Sequence, residues 1–202
     1  MKLESTSLPT FLAASPSMAD PHFKQSVILL LEQDEKGAFG FVINHKSKMS
    51  LDEVVSLNQV EIPPEIPVWN AGPVDSSAGY VLHNQKSEFF EREIAPGISL
   101  SSSQESLKKL VDNARFVQVD HAEASVKKPV IYPFRLLVGY AGWIPGQLEA
   151  ELDSGTWLQA PLDYDILFNA NYSEIWTRTL GSVGVSDTYS DMVAVEQGHW
   201  LH

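Results

Sequence analysis

Histidine and aspartate are the residues of this sequence whose side chains best suit metal binding or proton transfer. The chain has six histidines, but no two stand four residues apart on a predicted helix. No His-Glu-x-x-His string occurs, the spacing with which one helix holds zinc. Asp20, His22 and His83 would have to converge from separate segments, and a histidine beside Asp-Pro is more typical of a turn. We therefore predict no metal site and no catalytic residue set.

Nucleophile and nucleotide motifs are absent from the sequence. There is no cysteine, and neither Gly-x-Ser-x-Gly nor Gly-x4-Gly-Lys-Ser/Thr occurs, which are the strings of a serine hydrolase and of a phosphate-binding loop. Gly139, Gly142 and Gly146 lack dinucleotide spacing. Glu149 and Asp153 lie one helical turn apart beside a leucine stripe, the pattern of a solvated helix face. We predict no cofactor.

The segment Lys36–Ile43 superficially resembles an RNA-recognition strand, with a basic residue, glycine and alternating aromatics. Ala38 puts Lys36 and Gly37 out of phase with the aromatics, and Asn44 stands where a closing aromatic is needed. The chain carries 14 basic and 26 acidic residues, a formal charge of −12, which opposes broad contact with phosphate backbones or anionic lipid. Extensive direct nucleic-acid contact is therefore not expected.

Strand patterns predominate among the elements that must position these groups. The unbroken run Val27–Leu31 indicates a central strand covered on both faces. Asp34–Gly37 is typical of a tight turn that returns the chain as a hairpin strand over 38–44. Further apolar segments predict strands at 10–15, 68–72, 79–84, 98–101, 134–141 and 156–160.

Helices are indicated by capping signals and by apolar spacing. Ser50 and Glu53 have the spacing of a capping box, which predicts a helix to about Asn58. Ser102 and Glu105 repeat this spacing ahead of an apolar stripe at Leu107, Leu110 and Val111. Elsewhere we predict a helix from Pro145 to Gly155, a helical region over 162–180, an extended segment at 116–119 and a loop at 121–129.

The chain is predicted to form one domain. No repeat, linker or change of composition divides it, so we assign residues 1–9 to an N-terminal arm, 10–185 to a single domain and 186–202 to a C-terminal tail. The N-terminus lacks a basic segment followed by an apolar stretch, and the longest aliphatic run is far shorter than the roughly 20 residues of a membrane span. A cytoplasmic protein without membrane contact is expected.

Three segments rich in glycine and proline adjoin apolar strands and carry groups suited to binding: 16–23, 72–75 and 139–147. Loops at strand ends often gather around one concavity. Trp143 either forms a wall of such a cleft or caps the core, and the sequence leaves both open. The predicted cleft consists of Asp20, Pro21, His22, Asn44, Gly72, Pro73, His83, Gly142, Trp143 and Gln147.

Four ordered motifs resemble the YqgE/AlgH family of bacterial proteins: 18–27, 37–44, 72–83 and 139–149. The resemblance implies an α+β fold with a mixed, bifurcated, barrel-like sheet flanked by a few helices, a bacterial cytosolic setting, and no established biochemical activity. Some members carry the label of transcriptional regulator. The sequence departs from the family at Ala71, where a glycine is usual, and in a longer connection over 115–133.

These observations favour a non-enzymatic protein that binds a protein partner or a small ligand. The first alternative is an enzyme of unrecognised type that uses histidine and aspartate at the strand-end loops. The second is a transcriptional regulator acting directly on DNA, which the charge of −12 disfavours. The sequence leaves the oligomeric state open.

Overall fold

The computed structural model describes residues 8–55, 66–85, 92–119, 132 and 134–185, with only the backbone described at 114–119. Within these ranges lie ten strands and five helices. The strands are β1 (Thr10–Ala14), β2 (Val27–Asp34), β3 (Gly37–Val42), β4 (Lys46–Ser50), β5 (Pro67–Asn70), β6 (Val74–His83), β7 (Arg92–Ala95), β8 (Ile98–Ser101), β9 (Phe134–Trp143) and β10 (Trp157–Ala160). The helices are α1 (Leu51–Val54), α2 (Gln104–Val119), α3 (Gln147–Asp153), α4 (Tyr164–Phe168) and α5 (Ile175–Ser182).

Strand β9 joins the two branches of one mixed sheet, whose main path runs β10-β1-β2-β3-β9-β6-β8-β7. One edge of β9 pairs with β6. Its other edge pairs first with β5, in parallel over Leu136–Val138, and then with β3, antiparallel over Ala141–Trp143. The change of partner splits the sheet at Gly139. The predicted α+β fold with a mixed, bifurcated, barrel-like sheet is therefore confirmed.

The sheet curls around its largest apolar cluster. That cluster takes residues from both branches, including Phe11, Phe41, Leu82 and Leu137, together with α4 and α5. An ion pair of 2.8 Å joins Arg92 on β7, the last strand of the path, to Glu32 on β2, the third strand from the other end. Both side chains are more than half exposed, so this pair marks the closure of the curl and adds little stability.

Helices cover the outer faces of the sheet. Leu107, Leu110 and Val111 of α2 pack on the branch formed by β5, β6 and β9, as their spacing predicts. Leu148 of α3 packs with Trp143 and Trp157 on the other branch. The capping box of Ser50 and Glu53 forms as predicted.

Gly72 and Gly139 pack backbone against backbone where the sheet divides. Gly139 has a φ of +74°, and a Cβ atom there would lie 2.5 Å from the carbonyl oxygen of Gly72. Gly72 has a φ of +146°, and its Cβ would lie 2.2 Å from the carbonyl of Tyr140. At both positions the positive φ and the lack of room for a Cβ atom require glycine.

Several predicted elements differ in the structure. Residues 116–119 are helical, not extended, because α2 continues through them. The helical region over 162–180 is two short helices separated by a turn, and α3 begins at Gln147, two residues after Pro145. Strands β4 and β7 were not predicted. At the start of α2 the hydroxyl of Ser103, one residue after the predicted Ser102, accepts the N–H of Glu105 at 3.2 Å. Helix α1 ends at Val54, because Val55 is extended, and so it stops short of the predicted end near Asn58. The loop at 121–129 and the tail lie outside the described residues, and the domain limits stay a prediction.

Candidate functional site

A cavity of about 290 Å³ opens where the β1–β2 connection, the β3–β4 turn and the first turn of α5 meet. Its volume lies just below the usual range of small-molecule sites, roughly 300–1,000 Å³. Neither aspartate nor glutamate contributes to the described wall. The residues that line it are Lys24, Gln25, Asn44, His45, Tyr172, Ser173, Trp176 and Thr177.

Asp20 organises the turn that delivers Lys24 to the cavity. Its carboxylate accepts the N–H of His22 at 2.8 Å, and its carbonyl accepts the N–H groups of Phe23 and Lys24 at 3.0 and 2.8 Å. Aspartate does this readily, because its short side chain reaches the backbone two residues ahead. Phe23 then anchors the loop by packing edge-on against Trp157, with ring centroids 5.6 Å apart.

Asn44 fixes the exit of the same loop. Its side-chain oxygen accepts the N–H of Val27 at 2.8 Å, and its side-chain nitrogen donates to the carbonyl of Gln25 at 2.8 Å. Gln25 has a φ of +55°, a left-handed conformation that costs a non-glycine residue about 1–2 kcal/mol. Such strain persists only where neighbouring groups hold it, and Asn44 supplies that restraint at the cavity wall.

His45 follows Asn44 and is half-buried. Burial lowers its pKa below the ordinary 6.5, and a hydrogen bond with the backbone of Lys24 opposes the shift in part. The imidazole is therefore neutral at pH 7 and offers one donor and one acceptor. The carbonyl of His45 accepts the N–H of Asn70 at 2.8 Å, which ties the turn to the end of β5.

The opposite wall comes from the turn before α5. Trp176 is buried and donates its indole N–H to the carbonyl of Ala14 at 2.7 Å, so the helix is pinned to β1. Tyr172 is 45% exposed, and its ring lies edge-on to Trp69 with centroids 5.6 Å apart. The cavity thus has one exposed aromatic face beside a set of polar side chains.

Arg135 supports that wall from inside the curl. It is 7% exposed, its guanidinium donates twice to the carbonyl of Leu167 at 2.9 and 3.3 Å, and it lies 4.4 Å from the ring centre of Trp69. Burial lowers its pKa to about 10, so it remains charged at pH 7. Arg135 therefore holds both the end of α4 and the ring on which Tyr172 rests.

Trp143 and Gln147 of the predicted cleft instead form hydrogen bonds within the protein, to the carboxylate of Glu151. The Trp143 and Trp157 indoles both donate to Glu151 Oε2, at 2.8 and 2.7 Å, and the side chain of Gln147 donates to Glu151 Oε1 at 2.8 Å. Trp143 is 8% exposed and its ring meets Trp157. Of the two alternatives for Trp143, the structure places it as a cap on the core.

The other predicted cleft residues occupy different places. Asp20, Pro21 and His22 are exposed in the β1–β2 connection. Gly72 and Pro73 adjoin Tyr140, and Gly142 is exposed next to Trp143. His83 pairs with Phe134, at the opposite end of β9 from Trp143, about 30 Å along the strand. The three loops thus meet only in part, and His83 does not join them.

His83 is fully buried, and neither of its ring nitrogens makes a well-aligned hydrogen bond among the described residues, although the backbone of Gln85 lies close enough to oppose part of its pKa shift. Its neighbours across the sheet are Ser99 on β8 and Phe134 on β9. Burial lowers its pKa below the ordinary 6.5, because an apolar environment disfavours the charged ring. His83 is a neutral, inward-facing residue and is not accessible to a ligand in this conformation.

Comparison with known proteins identifies the family of the chain. A family model described as AlgH-like matches residues 11–187, which is most of the sequence. The chain belongs to the AlgH-like family. This confirms the resemblance seen in the four sequence motifs.

Curated relatives and solved structures agree with AlgH-like membership. A UPF0301 protein of Pseudomonas fluorescens is 38% identical over 164 residues, 79% of each chain. One of Photobacterium profundum is 34% identical over 94% of this chain and 96% of its own. The solution structure of the Pseudomonas aeruginosa AlgH protein is 32% identical, covers 99% of this chain and 100% of its own, and has a TM-score of 0.62. A Corynebacterium diphtheriae crystal structure, 22% identical over 89% of this chain and 88% of its own with a TM-score of 0.63, shares the fold.

This AlgH-like chain departs from the family pattern at Ala71 and in the connection over 115–133, and the structure explains only the first. Ala71 is fully buried, donates its N–H to Val138 at 2.8 Å and accepts the N–H of Val42 at 2.9 Å, so alanine fits this position. The connection over 115–133 is helical to Val119, and most of the rest lies outside the described residues.

Sequence reasoning missed most of the cavity wall in this AlgH-like chain. Asn44 was predicted and lines it, whereas Lys24, His45, Tyr172 and Trp176 were not singled out. Asn44-His45 directly after a buried strand was the available signal. Tyr172 and Trp176 gave none, because their segment reads as amphipathic helix and its packing against the β1–β2 connection is a tertiary property.

Among the described residues of the AlgH-like fold, no group of three or more histidine, aspartate or glutamate side chains is arranged to hold a metal ion. No helix in that part of the chain is both long and apolar enough to cross a membrane.

Proposed function

We propose that this AlgH-like chain is a non-enzymatic protein of the bacterial cytosol that binds a small ligand in the cavity between the β1–β2 connection and α5. The single observation that carries this proposal is the cavity itself. Its wall combines one exposed aromatic ring, Tyr172, with several polar side chains that can fix the orientation of a small molecule.

The chemistry of the wall supports binding over catalysis. An activated hydroxyl requires a base within hydrogen-bond reach and a third group that orients the base. The hydroxyl of Ser173 instead donates to the side-chain oxygen of Asn171 at 3.1 Å, and the partner recorded for His45 is the backbone of Lys24. The alternative enzyme site loses support as well, because Asp20 and His22 are exposed whereas His83 is buried.

On this proposal, any influence on transcription is indirect. A charge of −12 opposes the extensive phosphate contacts on which DNA affinity depends. Ligand binding in the cavity would then alter contacts with a protein partner, and direct contact with a promoter is not required.

The test is a fragment screen by ligand-observed NMR on the wild-type chain and on Ser173→Trp, which fills the cavity mouth. Ser76→Trp is the matched control, because Ser76 is exposed on β6 and lies outside the cavity wall. Fragments that bind the wild type and Ser76→Trp but not Ser173→Trp are the expected result. Equal binding to all three proteins, or no binding to any, contradicts the proposal.

A further inference from the structure

We infer that the ligand of this cavity is a small organic carboxylate, an inference that rests on the binding function proposed above and names the class of molecule. The starting point is the charge of the wall. In a chain with 26 acidic residues, the eight residues lining the cavity include one lysine, one histidine and no acidic residue. An anion in the cavity therefore meets a positive charge and no carboxylate on the lining residues.

Lys24 supplies the positive charge. It is exposed at the rim, and the described residues include no carboxylate within salt-bridge distance of its ammonium group. Opposite charges attract more strongly beside a protein surface than in bulk water, because the effective dielectric there is lower. A carboxylate at the cavity rim would therefore gain the ion pair that Lys24 lacks within the described chain.

Hydrogen-bond donors on both walls complement the lysine. The side chains of Gln25 and Thr177 line the cavity and have no side-chain hydrogen bond recorded in the described part of the molecule. Thr177 and Trp176 lie in the first turn of α5, where backbone N–H groups lack helical partners and the side chain of Glu174 at the N-cap makes no capping bond. These donors favour an anionic oxygen over a cationic group.

Acidic residues on the segments that form the cavity do not occupy its wall. The carboxylate of Asp20 faces the backbone of His22, whose N–H it accepts at 2.8 Å. Glu174 is exposed at the start of α5 and does not line the cavity. Asp165, on the preceding helix, is paired with Arg178. The charge that a ligand meets inside the cavity is therefore that of Lys24.

The size and the aromatic wall define the rest of the ligand. A cavity of about 290 Å³ admits only a small molecule, and the exposed ring of Tyr172 is held in place by its contact with Trp69. A flat apolar body can lie against that ring while its carboxylate faces Lys24. Benzoate is a probe with both parts, and benzamide has the same shape without the charge.

The experiment titrates the ¹⁵N-labelled chain with benzoate, benzamide and benzylamine and follows the amide signals of Lys24, Gln25, His45, Ser173 and Thr177. Benzoate is expected to shift these signals saturably, and benzamide and benzylamine much less. Lys24→Gln should weaken benzoate binding by about tenfold, the effect of losing one favourable charge contact. Lys36→Gln, an exposed lysine on the β2–β3 turn, should leave it unchanged.

The outcomes separate this inference from the proposed function. Saturable shifts of the same signals by benzamide or benzylamine, equal to or larger than those of benzoate, overturn the carboxylate assignment and leave the cavity as a binding site. An unchanged benzoate affinity in Lys24→Gln also overturns it. If no probe moves the cavity signals, both the ligand class and the proposed binding function fall.

Discussion

The side chain of Asn44 holds Gln25 in a left-handed backbone conformation, through a hydrogen bond of 2.8 Å from its nitrogen to the carbonyl of Gln25. Because its oxygen also accepts the N–H of Val27, one asparagine secures both sides of the loop exit. Asn44 therefore stabilises both the β1–β2 connection and the cavity wall that this connection forms.

Replacement of Asn44 by alanine should lower the free energy of unfolding by about 2 kcal/mol, because two hydrogen bonds are lost and the buried N–H of Val27 is left without a partner. Urea unfolding followed by circular dichroism measures this. Gln25→Gly is the matched variant: it removes the strain at Gln25 and should leave stability equal or higher. A loss below about 0.5 kcal/mol in Asn44→Ala, within the range of ordinary surface substitutions, contradicts the role given to Asn44.

Gly139→Ala should destabilise the fold by roughly 3 kcal/mol or more, because the added methyl group meets the Gly72 carbonyl oxygen at 2.5 Å. Gly155→Ala isolates the effect of backbone conformation, since Gly155 has a φ of +71° but nothing within 4 Å of the added atom. Its expected cost is about 1–2 kcal/mol. Thermal and urea unfolding of the two variants give the difference, and equal losses would show that the close approach at the sheet junction is not limiting.

The stability of the fold should decrease as the pH falls below about 6.5, the ordinary histidine value. Burial lowers the pKa of His83 and of His45, so the unfolded chain binds protons that the folded chain does not, and protonation favours unfolding. His83→Leu should reduce this pH dependence and, at pH 7, leave stability unchanged or higher, because an unpartnered polar ring is removed from the interior.

Urea unfolding between pH 5 and pH 8 tests this prediction. His45→Gln is the companion variant, since among the described residues His45 is the other histidine whose pKa burial lowers, and its removal isolates the contribution of His83. A His83→Leu variant whose stability retains the full wild-type pH dependence would contradict the assignment to His83.

Glu151→Gln should cost about 2–3 kcal/mol of stability. The carboxylate accepts three side-chain donors, whereas the amide has one acceptor oxygen and would turn its own N–H groups toward the Gln147 donor. Asp153→Asn on the exposed face of the same helix is the control and should change stability by less than about 0.5 kcal/mol. Tryptophan fluorescence reports the unfolding and the environment of Trp143 and Trp157 together. Similar losses in both variants would show that the indole contacts contribute little.

Local signals in the sequence predicted the elements that depend on neighbouring residues. The Ser50–Glu53 capping box and the turn at Asp34–Gly37 form as predicted. Residues 116–119 were wrongly predicted as extended, because their β-branched and aromatic types favour strands locally, whereas a helix that has started at Gln104 extends at little cost.

The candidate site depended on contacts that no local pattern contains. His45 and Tyr172 are distant in sequence and line one cavity only because α5 is pinned to β1 through Trp176. Trp143 was predicted as either wall or core, and the acceptor that decides between them, Glu151, lies on the following helix. The separation of His83 from Trp143 follows from the register of β6 on β9, which sequence alone does not fix.

The position of β9 in the chain has a consequence for biosynthesis. Its partners β3, β5 and β6 all precede it, so the two branches have no common strand until Phe134–Trp143 has left the ribosome. During translation, the edges of β3, β5 and β6 that later pair with β9 must stay exposed while the first two thirds of the polypeptide are made. These edges are the surfaces that chaperones would be expected to protect on the nascent chain, and emergence of β9 is the event that commits it to the native topology.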